Sequence, residues 1–176
     1  QHLHFTQQDM AEFDKFRARL DDLTISSKSI SDTTPAAQIF NRYMQRLTQR
    51  STYCQDLLKS EQFSFTGDER ILINRKDAPR PKDVREARKL WRERLRYEYL
   101  QEKLARLDEK PAKSNTNKTD KAAGPPKSQH EEIVETLSNR YNRTLKMFVD
   151  WDMQDVLQIY LRTLAQVYDP HSDYMN

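Results

Sequence analysis

Glycine is scarce in this chain: Gly67 and Gly124 are the two glycines among 176 residues. Tight turns depend on glycine because it adopts left-handed backbone conformations that other residues avoid. Sheets and barrels that reverse direction every ten residues would lack turn residues here, so a few long helices are favoured. A chain of this length can bury one hydrophobic core, which predicts a single helical domain over residues 1–176.

Apolar residues recur at three- and four-residue steps in five segments, which predicts five amphipathic helices. The first is expected to begin after the N-cap Thr6, with the acidic Asp9 in its first turn, and to end near Leu23. Pro35 marks the first turn of the second helix, where its missing N–H costs nothing. The N-cap of that helix is left open between three residues: Asp32, Thr33 and Thr34.

The third helix covers about residues 84–107, with apolar residues that drift around its axis and predict packing on more than one side. Ser128 and Glu131 form the capping-box pattern S-x-x-E at the start of the fourth helix. A fifth helix follows at once, with Asp152 as its N-cap and Pro170 as its stop. A proline restricts the residue before it, so Asp169 is expected to be extended.

The segment between the second and third helices has a different pattern. Phe63, Phe65, Ile71 and Ile73 alternate with polar residues, and Gly67 lies in a turn-like sequence between the two pairs. This alternation predicts either a short hairpin or an extended excursion. The fold class expected is therefore mainly α, a bundle of about five helices with one such excursion.

Residues 109–128 contain no leucine, isoleucine, valine or aromatic residue and include three prolines. Such a segment cannot offset the entropy of its own ordering, so we expect a mobile lysine-rich loop within the domain. The loop holds five lysines against two acidic residues, a difference equal to the whole chain's net charge of +3. The rest of the chain is neutral, which disfavours nucleic acid as a general partner of the fold.

The last residues place the side-chain types of a hydrolase triad next to each other, in Asp169, His171, Ser172 and Asp173. A Ser-His-Asp relay needs its base between the nucleophile and the orienting acid in space, which adjacent residues cannot achieve. We interpret this stretch as a turn whose polar side chains bond to local backbone. A small hydrolase using His171 and Ser172 is the least favoured class, and no catalytic residue is predicted within the chain.

Neither a metal nor another cofactor is predicted. The four histidines show no H-x-x-x-H or H-E-x-x-H spacing, and one cysteine cannot build a four-cysteine zinc site. Cys54 lies among apolar residues at helical spacing, which predicts a buried, inert thiol. The histidines are His2, His4, His130 and His171.

The third helix carries a basic stripe that is a candidate partner-docking surface, because its members recur at steps of three, four, four and seven residues. The stripe could meet phosphates or an acidic protein. The favoured alternative is a solvated helix face balanced by nearby acidic residues. The stripe consists of Arg85, Arg88, Arg92, Arg96 and Lys103.

"YDPHSDYM" at 168–175 is similar to the D-P-H-[ST]-x-Y motif of the family of bacterial tail-specific, or C-terminal processing, serine peptidases. "FSFTGDERILINRKDAPRPKDVREARKLWRERLRYEYL" resembles its F-x-F…P-x-P…LW-[RE]-x-R-[LV] region in order and spacing. "HFTQQDMAEF" and "LSNRYNRTLKMF" resemble two further helical segments. The resemblance covers nearly the whole chain except the lysine-rich loop.

This resemblance implies a non-catalytic N-terminal helical domain that precedes a PDZ domain and a peptidase core in the same chain. The nucleophilic Ser and its Lys base would then lie beyond Asn176, and the first residue, Gln1, agrees with a fragment of a longer chain. The family context implies a periplasmic location, a parent protein that can associate with the membrane, and protein substrates with apolar C-terminal tails. The domain is expected to serve as scaffold, substrate gate or docking surface for an adaptor protein.

An alternative from another class is a stand-alone helical interaction module. Its basic third helix would bind an acidic protein or nucleic acid. Binding to phosphates would weaken steeply with added salt, whereas an adaptor interface built on apolar residues would change little.

Overall fold

The computed structural model describes residues 2–19, 33–108, 127–169 and 171, and these form a mainly α-helical bundle, as the sequence predicts. No strand occurs among them. A 3-10 helix, Asp14–Arg19, follows the first α-helix. The α-helices among the described residues are α1 (Gln7–Phe13), α2 (Thr34–Ser60), α3 (Val84–Asp108), α4 (Gln129–Val149) and α5 (Met153–Tyr168).

The N-terminal ends of three helices are capped as predicted. The Thr6 side chain accepts a hydrogen bond from the Asp9 backbone N–H, and the Asp9 carboxylate accepts one from the Thr6 N–H in return. Ser128 and Glu131 form the same reciprocal box at α4. Asp152 caps α5 by accepting from two backbone N–H groups of the first turn. These bonds satisfy donors that a helix start otherwise leaves unpaired.

The start of α2 and the end of α5 also agree with the sequence. Thr33 is the N-cap residue of α2, without a side-chain cap bond, and Pro35 lies in the first turn. Asp169 follows α5 in an extended conformation, with φ −143° and ψ 111°. Asp32 and Pro170 lie outside the described residues.

The first helix is shorter than predicted. Its α-helical part ends at Phe13, not near Leu23, and the chain continues as the 3-10 helix to Arg19. Asp14, Lys15 and Arg17 in this continuation are exposed, so their side chains add little packing that would stabilise a regular α-helix there. Short 3-10 stretches commonly end α-helices for this reason. Residues 20–32 lie outside the described part of the chain.

The hydrophobic core lies between α2, α3 and α4. On α3 its members recur every four residues, which places them on one side of the helix. Cys54 is fully buried as predicted, and burial raises the pKa of its thiol. The core residues are Cys54, Leu58, Ala87, Trp91, Leu95, Tyr99, Ile133, Leu137 and Tyr141.

The segment at 61–83 is the extended excursion and not the hairpin, since no strand occurs in it. Phe63 and Phe65 pack against Tyr99, with ring centroids 5.4 and 6.1 Å apart. The alternation at Phe63 and Phe65 arises because both side chains turn towards α3, whereas Ile73 is 50% exposed. Further along, the carbonyl oxygen of Pro81 accepts a hydrogen bond of 2.8 Å from the Gln7 N–H, which joins the excursion to the start of α1.

The lysine-rich loop predicted at 109–128 falls almost entirely outside the described residues, which resume at Lys127. The Lys127 ammonium lies 2.6 Å from the Glu135 carboxylate of α4. The mobility of the loop and its place within one domain stay predictions.

Candidate functional site

The C-terminal cluster forms a local turn in the part that the structure describes. Asp169 Oδ1 accepts a hydrogen bond of 3.0 Å from the His171 backbone N–H and lies 3.4 Å from His171 Nδ1. The imidazole is 95% exposed. The partner that the structure gives His171 is therefore the carboxylate of its own turn. Ser172 and Asp173 lie outside the described residues.

The other histidines occupy three separate environments. His2 Nδ1 lies 2.7 Å from the carbonyl oxygen of Ala78, and His130 Nδ1 lies 2.8 Å from the Tyr99 hydroxyl. His4 packs against the ring of Tyr43, with centroids 5.1 Å apart. Within the described ranges, no three histidine, cysteine or acidic side chains come together in a group that could hold a metal ion.

Two of the four arginines in the basic stripe on α3 contact the excursion of the same chain. Arg92 donates from Nε to the Glu61 carboxylate at 3.0 Å, and this pairing raises the pKa of the guanidinium. Arg96 donates from Nε to the carbonyl oxygen of Ser64 at 3.0 Å and forms an ion pair with Glu69. These two arginines therefore hold the excursion against α3. Their side chains are also partly exposed to solvent.

The rest of the stripe meets aromatic rings or water. The Arg88 guanidinium lies 5.5 Å from the ring centroid of Tyr53, and the Lys103 ammonium lies 5.7 Å from that of Phe65. Such cation–π contacts contribute about 0.5–1 kcal/mol at exposed sites. Arg85 is exposed. Docking of a partner by this stripe stays a prediction, with Arg85 and Arg88 as its more available members.

A groove of about 380 Å³ lies between the excursion and α3. Its walls combine apolar side chains with charged ones, among them the two arginines that hold the excursion. Next to it, Leu72 and Ile73 are 57% and 50% exposed. The main lining residues are Phe65, Ile71, Arg92, Arg96, Tyr97 and Leu100.

A buried ion network joins α1 to α2. The Asp9 carboxylate is fully buried and accepts from Arg46 Nε at 2.8 Å, Arg46 Nη2 at 2.7 Å and Arg42 Nη1 at 2.6 Å. Arg42 also pairs with Glu12 at 2.5 Å. Burial alone would raise the pKa of Asp9, but hydrogen bonds from Arg46, Thr6 and Arg42 outweigh it and hold that pKa well below its usual range.

Sequence reasoning missed this network, because it assigned Asp9 a favourable charge at a helix start and nothing more. A signal was present in the spacing of Arg42 and Arg46, which are four residues apart and therefore share a face of α2. Their partner lies more than 30 positions earlier, so no local pattern identifies it.

The motifs that resemble tail-specific peptidases occupy structural positions in this fold. The F-x-F residues Phe63 and Phe65 lie across α3, and the tryptophan of the LW pair, Trp91, is fully buried in the core. Residues 1–176, the whole chain, match the family described as "Tail specific protease N-terminal domain". The chain belongs to this family. The resemblance stated from the motifs is thereby confirmed.

A curated relative of this tail-specific protease N-terminal domain is the "Tail-specific protease" of Haemophilus influenzae. The two are 28% identical over 99% of this chain. The matched region covers 22% of the length of the relative, so this chain spans about a fifth of that protein. Among the residues described here, none of the helices is both long and apolar enough to cross a bilayer.

Proposed function

We propose that this chain is the non-catalytic N-terminal helical domain of a periplasmic tail-specific serine endopeptidase. The Ser nucleophile and Lys base of that enzyme would lie outside residues 1–176, next to a PDZ domain that precedes the peptidase core. The family match over the whole chain carries this proposal. The exposed, locally paired His171 supports it, because that imidazole has no arrangement suited to a hydrolytic relay.

The surface of α5 supports a scaffold role. Its apolar side is buried at Val156, which is 6% exposed, but open at Val167, which is 75% exposed. These two residues are eleven positions apart, about three helical turns, and so lie on nearly the same side. Met153 and Ile159 on this side of the helix are also 47% exposed each, and a group of open apolar side chains is typical of a surface that packs against another part of a protein. We assign this end of α5 to contact with the remaining domains.

The excursion supports a second role in handling substrates. In the proposed enzyme, protein substrates would be selected by their apolar C-terminal tails and then admitted to the peptidase core. The groove beside α3 is lined by apolar and charged side chains, and exposed Leu72 and Ile73 next to it offer apolar contacts to such a tail or to an adaptor protein. The helical domain would then act as a gate or docking surface as well as a scaffold.

The chain alone is expected to have no peptidase activity. Purified residues 1–176 should release no product from a fluorogenic peptide with an apolar C-terminus, because the proposed nucleophile and base are absent from it. The full-length protease at equal concentration is the positive control. Turnover by the chain that is lost in His171→Ala or Ser172→Ala would contradict the proposal and revive the hydrolase alternative.

Val167→Asp in the full-length protease is expected to slow cleavage of the same peptide. Burying a valine side chain contributes about 1.5–3 kcal/mol to an interface, and a charge there would remove that contribution. In the chain alone the substitution should leave the melting temperature nearly unchanged, because Val167 is exposed.

Gln166→Asp is the matched control, since it adds the same charge at the neighbouring, exposed position. Equal cleavage rates for Val167→Asp and Gln166→Asp would show that this end of α5 does not dock on the rest of the enzyme.

A further inference from the structure

A cleft of about 150 Å³, lined by polar and apolar side chains, lies where the N-terminal segment meets α2, α3 and α4. Four parts of the chain contribute side chains to it, so its shape depends on the assembled bundle. The cleft is smaller than the ~300 Å³ at which pockets for cofactors and drug-sized ligands begin. Its polar lining consists of His4, Arg50, Ser51, Glu98, Arg140 and Thr144.

Arg50 brings a positive charge to this cleft, which the Glu98 carboxylate also lines. None of the ion pairs formed among the described residues includes Arg50. Its Nε is buried and has no hydrogen-bond partner. The guanidinium lies 5.6 Å from the ring centroid of Tyr141, a contact that supplies no counter-charge. Half-buried arginines are ordinarily paired, because a desolvated charge is costly.

Glu98, the acidic residue that lines the cleft, already accepts hydrogen bonds from two other side chains. Glu98 Oε1 accepts from Arg94 Nε at 2.9 Å, and Glu98 Oε2 accepts from the Tyr141 hydroxyl at 3.1 Å. Arg140 is likewise balanced, since its Nη2 lies 2.5 Å from the Glu102 carboxylate. The uncompensated charge of the cleft therefore comes from Arg50.

His4 and Ser51 supply neutral hydrogen-bonding groups beside that charge. His4 Nδ1 is buried without a partner. Burial and the neighbouring charge of Arg50 lower the pKa of His4 to about 4, so the ring is neutral at pH 7 and keeps one N–H to donate. Ser51 Oγ accepts from Gln55 Nε2 at 3.1 Å, which leaves its own proton to donate.

We propose that this cleft binds one small oxyanion, a carboxylate or a phosphate, with the Arg50 guanidinium as its principal ligand. The planar guanidinium matches two oxygens of such a group with two parallel N–H bonds. His4 and Ser51 add neutral donors at the sides. The anion balances the charge of Arg50 inside the fold, which neither Glu98 nor any other carboxylate in the described ranges does.

The test measures binding of sodium acetate and of inorganic phosphate separately, at constant ionic strength in sodium chloride. Binding is followed by the His4 ring signals in NMR spectra of the chain. We expect saturable shifts with at least one of the two anions. Arg50→Gln should weaken that binding about 10- to 100-fold, as expected for losing hydrogen bonds to a charged group. Binding of acetate alone assigns a carboxylate site, and binding of phosphate alone assigns a phosphate site.

The matched control is Arg143→Gln, which removes an exposed arginine from α4 and should leave the affinity unchanged. Arg50→Lys keeps the charge but loses the planar fork, so its affinity for the anion should be lower than that of the wild type and higher than that of Arg50→Gln. If Arg50→Gln fails to fold, Arg50→Lys serves as the test. Circular dichroism establishes folding for each variant. No saturable shift with either anion, or equal weakening by Arg50→Gln and Arg143→Gln, would overturn the proposal.

A second readout is the titration of His4. A bound anion stabilises the imidazolium, so saturation should raise the pKa of His4 above about 4. By linkage, affinity for the anion should increase as the pH falls towards that value. Sodium chloride at the same ionic strength should not reproduce the rise. An equal rise with chloride would reflect charge screening and would contradict a built oxyanion site.

Discussion

Trp91→Ala is expected to lower the free energy of unfolding by about 3–5 kcal/mol, the usual cost of removing a large aromatic side chain from a core. Trp91 is fully buried among residues of α2, α3 and α4. Its Nε1 also donates a hydrogen bond of 2.8 Å to the carbonyl oxygen of Leu3, which joins the N-terminal segment to the bundle. Urea denaturation followed by far-ultraviolet circular dichroism measures the effect.

Two further variants separate the contributions of packing and hydrogen bonding. Trp91→Phe keeps most of the ring but removes the N–H, so it should cost less than Trp91→Ala. Leu107→Ala shortens a side chain on the same helix that is 64% exposed, and it should change stability by no more than about 0.5 kcal/mol. Similar losses for Trp91→Ala and Leu107→Ala would contradict the position of the core.

Much of the bundle could be predicted because helices and their caps are local features. The capping boxes at Thr6 and Ser128 form within one turn, between residues three positions apart. Caps are present in short windows of sequence and depend little on the rest of the fold. The core-facing residues of α3 repeat every four positions, whereas the sequence pattern indicated apolar residues that drift around the axis.

The extent of packing could not be predicted from the same signal. Leu104 and Leu107 belong to the apolar series of α3, yet they are 45% and 64% exposed. Periodicity shows which side of a helix is apolar, but a neighbouring helix decides where burial ends. The early end of α1 at Phe13 has the same cause, because Asp14, Lys15 and Arg17 after it are exposed.

The excursion shows how one pattern can have two structural origins. Alternation at Phe63 and Phe65 suits a strand, whose side chains point to opposite faces, and it equally suits an extended chain that lies on a helix. Tyr99 decides between them by providing the surface on which both rings pack. That residue lies more than 30 positions away, beyond the reach of local patterns.

Contacts between distant residues also explain why the charged surface was only partly predicted. The arginine stripe of α3 was identified from its spacing, but its partners were not. Arg92 and Arg96 meet Glu61 and Glu69 of the excursion, at separations near 30 residues. The oxyanion cleft around Arg50 likewise depends on four segments that come together in the folded chain alone.

Asp9→Asn is expected to lower the free energy of unfolding by about 3–5 kcal/mol, the cost of breaking a buried ion pair on one side. The substitution keeps the size of the side chain. It leaves the buried Arg46 without a counter-charge and close to the like charge of Arg42. Asp14→Asn is the control, because Asp14 pairs with Arg17 at an exposed position, where ion pairs contribute about 0–1 kcal/mol. Equal stability of these two variants in urea would contradict the network.

The stabilisation by Asp9 should also depend on pH in a defined direction. Its pKa is lower in the folded chain than the ordinary value of 3.8. At a pH between the folded and the unfolded pKa, the carboxylate is therefore charged in the folded state and protonated in the unfolded state. The contribution is therefore complete above the unfolded pKa and is lost as the pH falls through the folded pKa. The stability difference between the wild type and Asp9→Asn should shrink below about pH 4. A difference that stays constant into strong acid would mean that the carboxylate is not held by Arg46 and Arg42, and α1 would then need another anchor on α2.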